Sequence, residues 1–329
     1  MKAIKFFAIS AMAAAMITSC SNEDELSQSN YPSDNIVRVT AGVNNAKTRA
    51  EGAGTEMKND FSLTIVNKNA PKYTYTDKVF SKTSGDWACS ETLLWQKSDA
   101  LVDIVAFAPA QTGKFNGVYA NGSIQPIAYS VASDQSSDQS TSSDNNDLLY
   151  YYAKDFNPGE SLDKGKLNIQ FNHAFCMIDI NVTLGTEFNK PEVLKESPIV
   201  KVTLGGTKIA ANVNVTKAAS VVTVSETDAA TDITTTKGSF DKAADPEANA
   251  KSHFSCIAIP QTVGANTFKV SLMTAGKRYE WTSDKEITLQ SGYRYTLNLS
   301  MGNDVVLLKG GSISATKWTE ISGGSLETE

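Results

Sequence analysis

The sequence predicts an all-β protein made of two tandem antiparallel β-sandwiches. Three observations carry this. Short runs rich in Val, Ile, Thr, Tyr and Phe recur roughly every 8–12 residues, with Gly, Asn and Pro between them. Helical periodicity is almost absent, beyond a turn or two near Glu192–Lys195. With the leader set aside about 300 residues remain, more than one sandwich usually holds.

Met1 to Cys20 has the form of a targeting segment (1–20) and is excluded from the fold. Lys2 and Lys5 precede an apolar run, Phe6 to Ile17, that falls short of the roughly 20 residues needed to span a bilayer. The run ends in Ile17-Thr18-Ser19-Cys20, which resembles a bacterial lipobox. That resemblance implies cleavage before Cys20 and lipidation of its thiol, with palmitate among the chains carried, hence attachment to outer-membrane lipid. Each buried acyl CH₂ contributes about 0.8 kcal/mol, so several chains on one cysteine anchor firmly. Residues 21–35 read as a flexible acidic tether. Its opening, Ser21 to Glu25, resembles the surface-export signal of Bacteroidetes lipoproteins.

The first foldable stretch is Ile36 to Val43. Val37, Val39, Ala41 and Val43 alternate with Arg38, Thr40 and Gly42, the period-2 pattern of a half-buried strand. Arg49 and Ala50 follow in a run of Asn, Ala and Gly that should be exposed. A protease acting there after folding could release the strand.

The remaining strands of the first half (36–160) follow in order. Phe61 to Asn67 and Tyr73 to Phe80 flank a turn at Asn67–Pro71. Leu101 to Ala108 is nearly all apolar, as expected of a central strand, and Pro109 stops it. Ile124 to Val131 and Leu148 to Ala153 complete this half. Between them Ser133 to Asp147 is built of Ser, Asp, Gln, Thr and Asn, and reads as a long exposed loop. Its aspartates lack the Gly and Glu spacing of an EF-hand loop.

Turn residues at Asn157–Gly159 and Asp163–Gly165 mark the expected boundary. A second sandwich (166–321) then opens with Lys166 to Phe171 and Cys176 to Thr183. It includes a polar stretch from Glu226 to Ser252, closes at Ile313 to Trp318, and is followed by a polar tail (322–329).

The chemistry-bearing residues are sparse. Thirty Lys+Arg against 36 Asp+Glu give a net charge of −6, with no basic cluster to support nucleic-acid binding. Three cysteines follow Cys20, namely Cys89, Cys176 and Cys256, in no metal spacing. The last two lie in apolar runs and read as buried hydrophobes. His173 and His253 form no ligand pair, and the sequence contains no HExxH, GxSxG or P-loop pattern. Asp99 and Asp103 flank the central strand without an acidic cleft to join them. Trp87, Trp95, Trp281 and Trp318 suit core packing better than a sugar platform. The expected protein is therefore not an enzyme and needs no metal or cofactor.

Several segments together, in order, resemble the fimbrillin-like lipoproteins of Bacteroidetes, the type V pilin superfamily. They are the Cys20 lipobox, the Ile36–Val43 strand, Thr48-Arg49-Ala50, and Trp95 ahead of Leu101–Pro109. Then come Asp147-Leu148-Leu149-Tyr150, Phe171-Asn172-His173, Ile259-Pro260-Gln261, Gln290 to Leu299, and Ile313 to Trp318. The resemblance implies transthyretin-like sandwiches and a surface-exposed outer-membrane lipoprotein that acts as a fimbrial subunit or as a tip, anchor or accessory protein. It further implies cleavage between Arg49 and Ala50, displacement of Val37, Val39, Ala41 and Val43, and refilling of their groove by a neighbouring subunit's strand. The partners so implied are other fimbrial subunits. The alternative is a lipid-anchored module that does not polymerise and binds a glycan or host protein. The tail after Trp318, with Ile321 and Leu326 as its apolar residues, makes a poor donor strand.

Overall fold

A computed structural model describes residues 30–44, 55–57, 59–137, 147–218, 220–302 and 309–317. These residues form a nearly all-β protein. In the first half lie β1 (Arg38–Val43), β2 (Phe61–Val66), β3 (Tyr75–Thr83), β4 (Asp86–Cys89), β5 (Val102–Ala108), β6 (Ile127–Ser130) and β7 (Leu149–Phe156). A single helical turn, Pro158–Ser161, follows, capped by the Asn157 side chain, which accepts from Gly159 N at 3.1 Å. Next come β8 (Lys166–His173), β9 (Cys176–Leu184), β10 (Ile199–Gly205), β11 (Ala210–Val213) and β12 (Val222–Val224). The chain closes with β13 (Thr236–Asp241), β14 (Lys251–Ala258), β15 (Lys269–Thr274), β16 (Arg278–Thr282), β17 (Tyr293–Met301) and β18 (Lys309–Lys317).

The largest sheet runs in the order Thr55–Glu56, β1, β8, β7, β5, β2, β3, β4. A second has the order β13-β14-β9-β17-β18, a third joins Ile233–Thr234, β10, β15 and β16, and a fourth is β12-β11-β6. Two ladders are parallel, β1 with β8 and β9 with β17. Both pairs are separated by long stretches of chain, which a parallel connection requires. The other ladders between strands are antiparallel, so the sheets are mixed but mainly antiparallel.

Two side-chain clusters hold the sheets together. One gathers β1, β2 and β8 side chains with Leu93, Trp95 and Phe80. The other packs β9, β14, β15 and β17 against residues from β6, β10 and β11. Between them runs β5, every residue of which is buried. Val102, Ile104, Ala106 and Ala108 face the first cluster, whereas Val105 and Phe107 face the second. That double burial is why its sequence is an unbroken apolar run rather than an alternating one.

Strand pairing crosses the expected division between residues 160 and 166 in both directions. Lys166–His173, expected to open the second half, pairs with β1 and β7 in the first sheet, and Leu167, Ile169 and Phe171 join the first cluster. In return β6 pairs with β11. Turn residues mark where a chain bends; they carry no information about which sheet the next strand enters.

Other differences are local. The polar stretch Glu226 to Ser252 contains Ile233–Thr234 and β13. β13 is an edge strand of mostly exposed residues, so it lacks an alternating signal. The helical turn expected near Glu192–Lys195 lies earlier, as a 3₁₀ turn at Thr186–Asn189.

The stretch Ser133 to Asp147 is also not wholly exposed, although its residues 138–146 lie outside the described residues. Gln135 has no exposed surface. Its Nε2 donates to Ile257 O at 2.9 Å and Ala132 O at 3.0 Å, and its Oε1 accepts from Ile257 N at 2.8 Å. The side-chain amide thus does for Ile257 what a neighbouring strand would do. Gln135→Ala should leave both Ile257 backbone groups buried and unpaired. At about 1–3 kcal/mol for each orphaned group, urea unfolding should show a loss of at least about 2 kcal/mol.

Candidate functional site

The site is the seat of the leading strand. Its entry is clipped to the segment before β5. Asn35 O accepts from Trp95 N at 2.8 Å, Val37 N donates to Leu93 O at 2.9 Å, and Ile36 bridges Leu94. Asn35 itself takes a left-handed conformation, φ 56°, which asparagine tolerates better than most residues. Beside it the Asp34 carboxylate accepts from Ile36 N at 3.1 Å and pairs with the Arg38 guanidinium at 2.5 Å. Hydrogen bonds from Arg38 and Ile36 hold the Asp34 carboxyl down at about 2, so this exposed pair stays ionised through mild acid.

Beyond the clip β1 lies parallel to β8, in register from Arg38 opposite Lys166 to Val43 opposite Phe171. Val37, Val39 and Val43 are 6%, 5% and 2% exposed, and Ala41 is half-buried against the same cluster. They pack among Leu167, Ile169, Phe171, Leu93 and Trp95. Arg38 and Thr40 face solvent, as the alternation predicts. Gly42 departs from it and is buried, because Thr55–Glu56 pairs antiparallel over Gly42 and Val43. The exit is tied by Asn44, whose N donates to Phe171 O at 2.8 Å and whose Nδ2 donates to Asn172 Oδ1 at 2.8 Å.

The outer edge of β1 over Arg38–Ala41 carries no ladder among the described residues, and β4, from the far end of the sheet, curls round to touch it. β1 is therefore an edge strand that nonetheless plugs a core. Cys20, Arg49 and Ala50 lie outside the described residues; 45–54, which include Arg49 and Ala50, connect β1 to Thr55–Glu56. The clip at Asn35, Val37, Leu93 and Trp95 was not visible in the sequence. Among the family-like motifs, the Ile36–Val43 strand and the Trp95 segment each hold one of its residues, but nothing in the sequence joined them.

Other sequence candidates have structural placements. His173 Nδ1 lies 2.7 Å from Asp147 Oδ2, both buried at the β7–β8 junction. Asp103 is held by Lys68 at 2.8 Å and accepts from Asp155 N at 3.0 Å, whereas Asp99 pairs with Lys97; the two carboxylates are not brought together. Trp95 is 2% exposed, Trp87 packs edge-on to Phe61 and Trp281 edge-on to Phe268; Trp318 lies outside the described residues. Cys176 and Cys256 are buried free thiols, both pushed up by burial, Cys256 to about 12. Among the described residues no group of three or more His, Cys, Asp or Glu is placed to hold a metal ion. No helix among them is long and apolar enough to cross a membrane.

The model of one protein family, described as fimbrillin-like, matches residues 48–318. Among solved structures, a candidate cell adhesion protein of Bacteroides ovatus aligns at TM-score 0.59 and 16% identity, over 87% of this chain and 98% of its own. One of the same description from Bacteroides uniformis gives 0.55 and 15%, over 88% and 100%. A fimbrial protein of Bacteroides vulgatus gives 0.55 and 16%, over 86% and 99%. At these identities the likeness concerns the fold. No curated protein matches the chain.

Proposed function

The chain belongs to the fimbrillin-like family, and from that premise we propose that it is a cell-surface fimbrial or fimbria-associated subunit whose leading strand is exchangeable. The observation that carries the reading is β1 itself. With Val37 just ahead of it, it fills a core through Val39 and Val43, yet it is an edge strand joined to the rest through residues 45–54, where Arg49 and Ala50 stand. Cleavage between those two residues would leave β1 held by noncovalent contacts alone. A neighbour's extended segment could then take its place, with main-chain hydrogen bonds to β8 and apolar side chains in the positions of Val37, Val39, Ala41 and Val43.

In this reading Cys20 is lipidated and holds the chain on the outer membrane until the cut after Arg49 separates it from the folded body, and the role is structural and adhesive. The two clusters are the cores of two transthyretin-like sandwiches that share β5. β18 is already paired along β17, which supports a subunit that accepts a strand over one that gives its own, as at a tip or an anchor. Edman sequencing of surface-extracted protein tests the mechanism, together with an SDS-resistant ladder on gels. The expected result is a start at Ala50 in assembled material, and loss of the ladder in Arg49→Ala. A start at Cys20 in assembled fibres removes the cleavage step.

A further inference from the structure

The four-stranded sheet of the second half carries a hollow on its outward face. Val202, Leu204, Val270, Leu272 and Tyr279 point inward and are buried. On the outer side Thr203, Ser271 and Glu280 form one row of the register, with Gly205 and Lys269 in the next. Three of these, Thr203, Gly205 and Ser271, are small, so the sheet centre is recessed between longer side chains. The resulting open cleft has a volume of about 480 Å³, within the range of small-molecule sites.

Its rim is charged and balanced. Asp232 and Glu280 line the hollow together with Lys269 and Arg278, two carboxylates and two cations, and Asn266 lines it too. Arg278 is partly engaged, donating to Ser271 Oγ at 3.0 Å and lying 3.6 Å from Glu280. Asp232 and Lys269 form no ion pair or side-chain hydrogen bond among the described residues. Asp232 reaches the floor because residue 205 is glycine; an added Cβ would stand 2.8 Å from its Oδ1. Gly206 adopts φ +87° and lies so close to Thr267 O that no Cβ fits, which seats the Asn266–Thr267 loop at the end of the cleft.

We propose that this cleft binds a neutral saccharide of one or two rings. The ligand class follows from the lining. An anion would meet two carboxylates, a cation would meet Lys269 and Arg278, and an apolar molecule would find little surface to cover. A polyol both donates and accepts at each hydroxyl. A carboxylate can accept hydrogen bonds from two neighbouring hydroxyls while ammonium, guanidinium and amide groups donate to the oxygens. One register row beyond Ser271, Met273 is 45% exposed and offers an apolar surface for the C–H face of a ring. This site is separate from the leading-strand groove and does not depend on strand exchange.

The test is a glycan array carrying neutral, sialylated and sulfated oligosaccharides, probed with the full chain. Calorimetry of the best neutral binder with wild-type, Asp232→Ala, Lys269→Ala and the remote control Lys97→Ala follows. The expected result is saturable binding of neutral glycans, weakened at least tenfold by each cleft substitution and unchanged in the control. Melting temperatures should stay put, because Asp232 and Lys269 are both exposed. The proposal is overturned by no saturable binding across the array, by a preference for the acidic glycans, or by neutral binding that both cleft variants retain.

Discussion

A chain lacking residues 1–44 should lose most of its resistance to heat and denaturant, and a peptide of residues 36–44 added in trans should restore it. Val37, Val39 and Val43 are nearly fully buried. At about 1.5 kcal/mol or more each, their removal costs on the order of 5 kcal/mol. Whole domains are stable by only about 5–15 kcal/mol. The deletion also strips the partner from one edge of β8, whose Leu167, Ile169 and Phe171 have no exposed surface in the intact chain. Differential scanning calorimetry should show a weakened or absent cooperative transition. The peptide should raise it in a concentration-dependent way, since it binds only the folded form. A truncated chain that melts like the full one would falsify the idea that β1 plugs a core.

Phe61→Ala should be the most damaging single substitution near that groove. The Phe61 ring is fully buried, stacked on Phe80 at 5.4 Å and edge-on to Trp87 and Phe171 at 4.9 and 5.5 Å. It thereby joins β3, β4 and β8 at one point. Truncating a buried phenylalanine costs about 3–5 kcal/mol through lost transfer energy and the cavity left behind. In guanidinium unfolding the midpoint should fall with the slope unchanged. An Ala variant within about 1 kcal/mol of wild type would mean that the site collapses around the loss.

Much of this could be read from the residues. The alternation at Val37, Val39 and Val43 told which face of β1 is buried, because a strand with one wet face writes its burial directly into period 2. The apolar run of β5 told that it is central, though not that it faces a separate cluster on each side. What stayed hidden depends on contacts between distant residues. Nothing within Lys166–His173 distinguishes a strand that pairs forward from one that pairs back with β1 in parallel. Gln135 sits in a polar run that composition assigns to solvent, yet its amide is buried because Ile257 needed a partner 122 residues away. The Asp34–Arg38 pair and the Asn35 clip are short-range, but they have meaning only against Leu93 and Trp95. The cleft over Thr203 and Ser271 arises from two neighbouring strands whose small residues coincide only once the register is known.

The alternating faces of β5 also determine how the molecule can be dissected. Ile104 and Val105 are neighbours in sequence yet line different clusters. A fragment ending after β7 would keep β5 but leave Val105 and Phe107 bare, and would lack β8. One starting after β8 would lack β6, the partner of β11. No single cut point yields two intact halves, so a ligand or partner cannot be mapped by expressing the halves separately. Point substitutions in the whole chain are the tool this architecture allows.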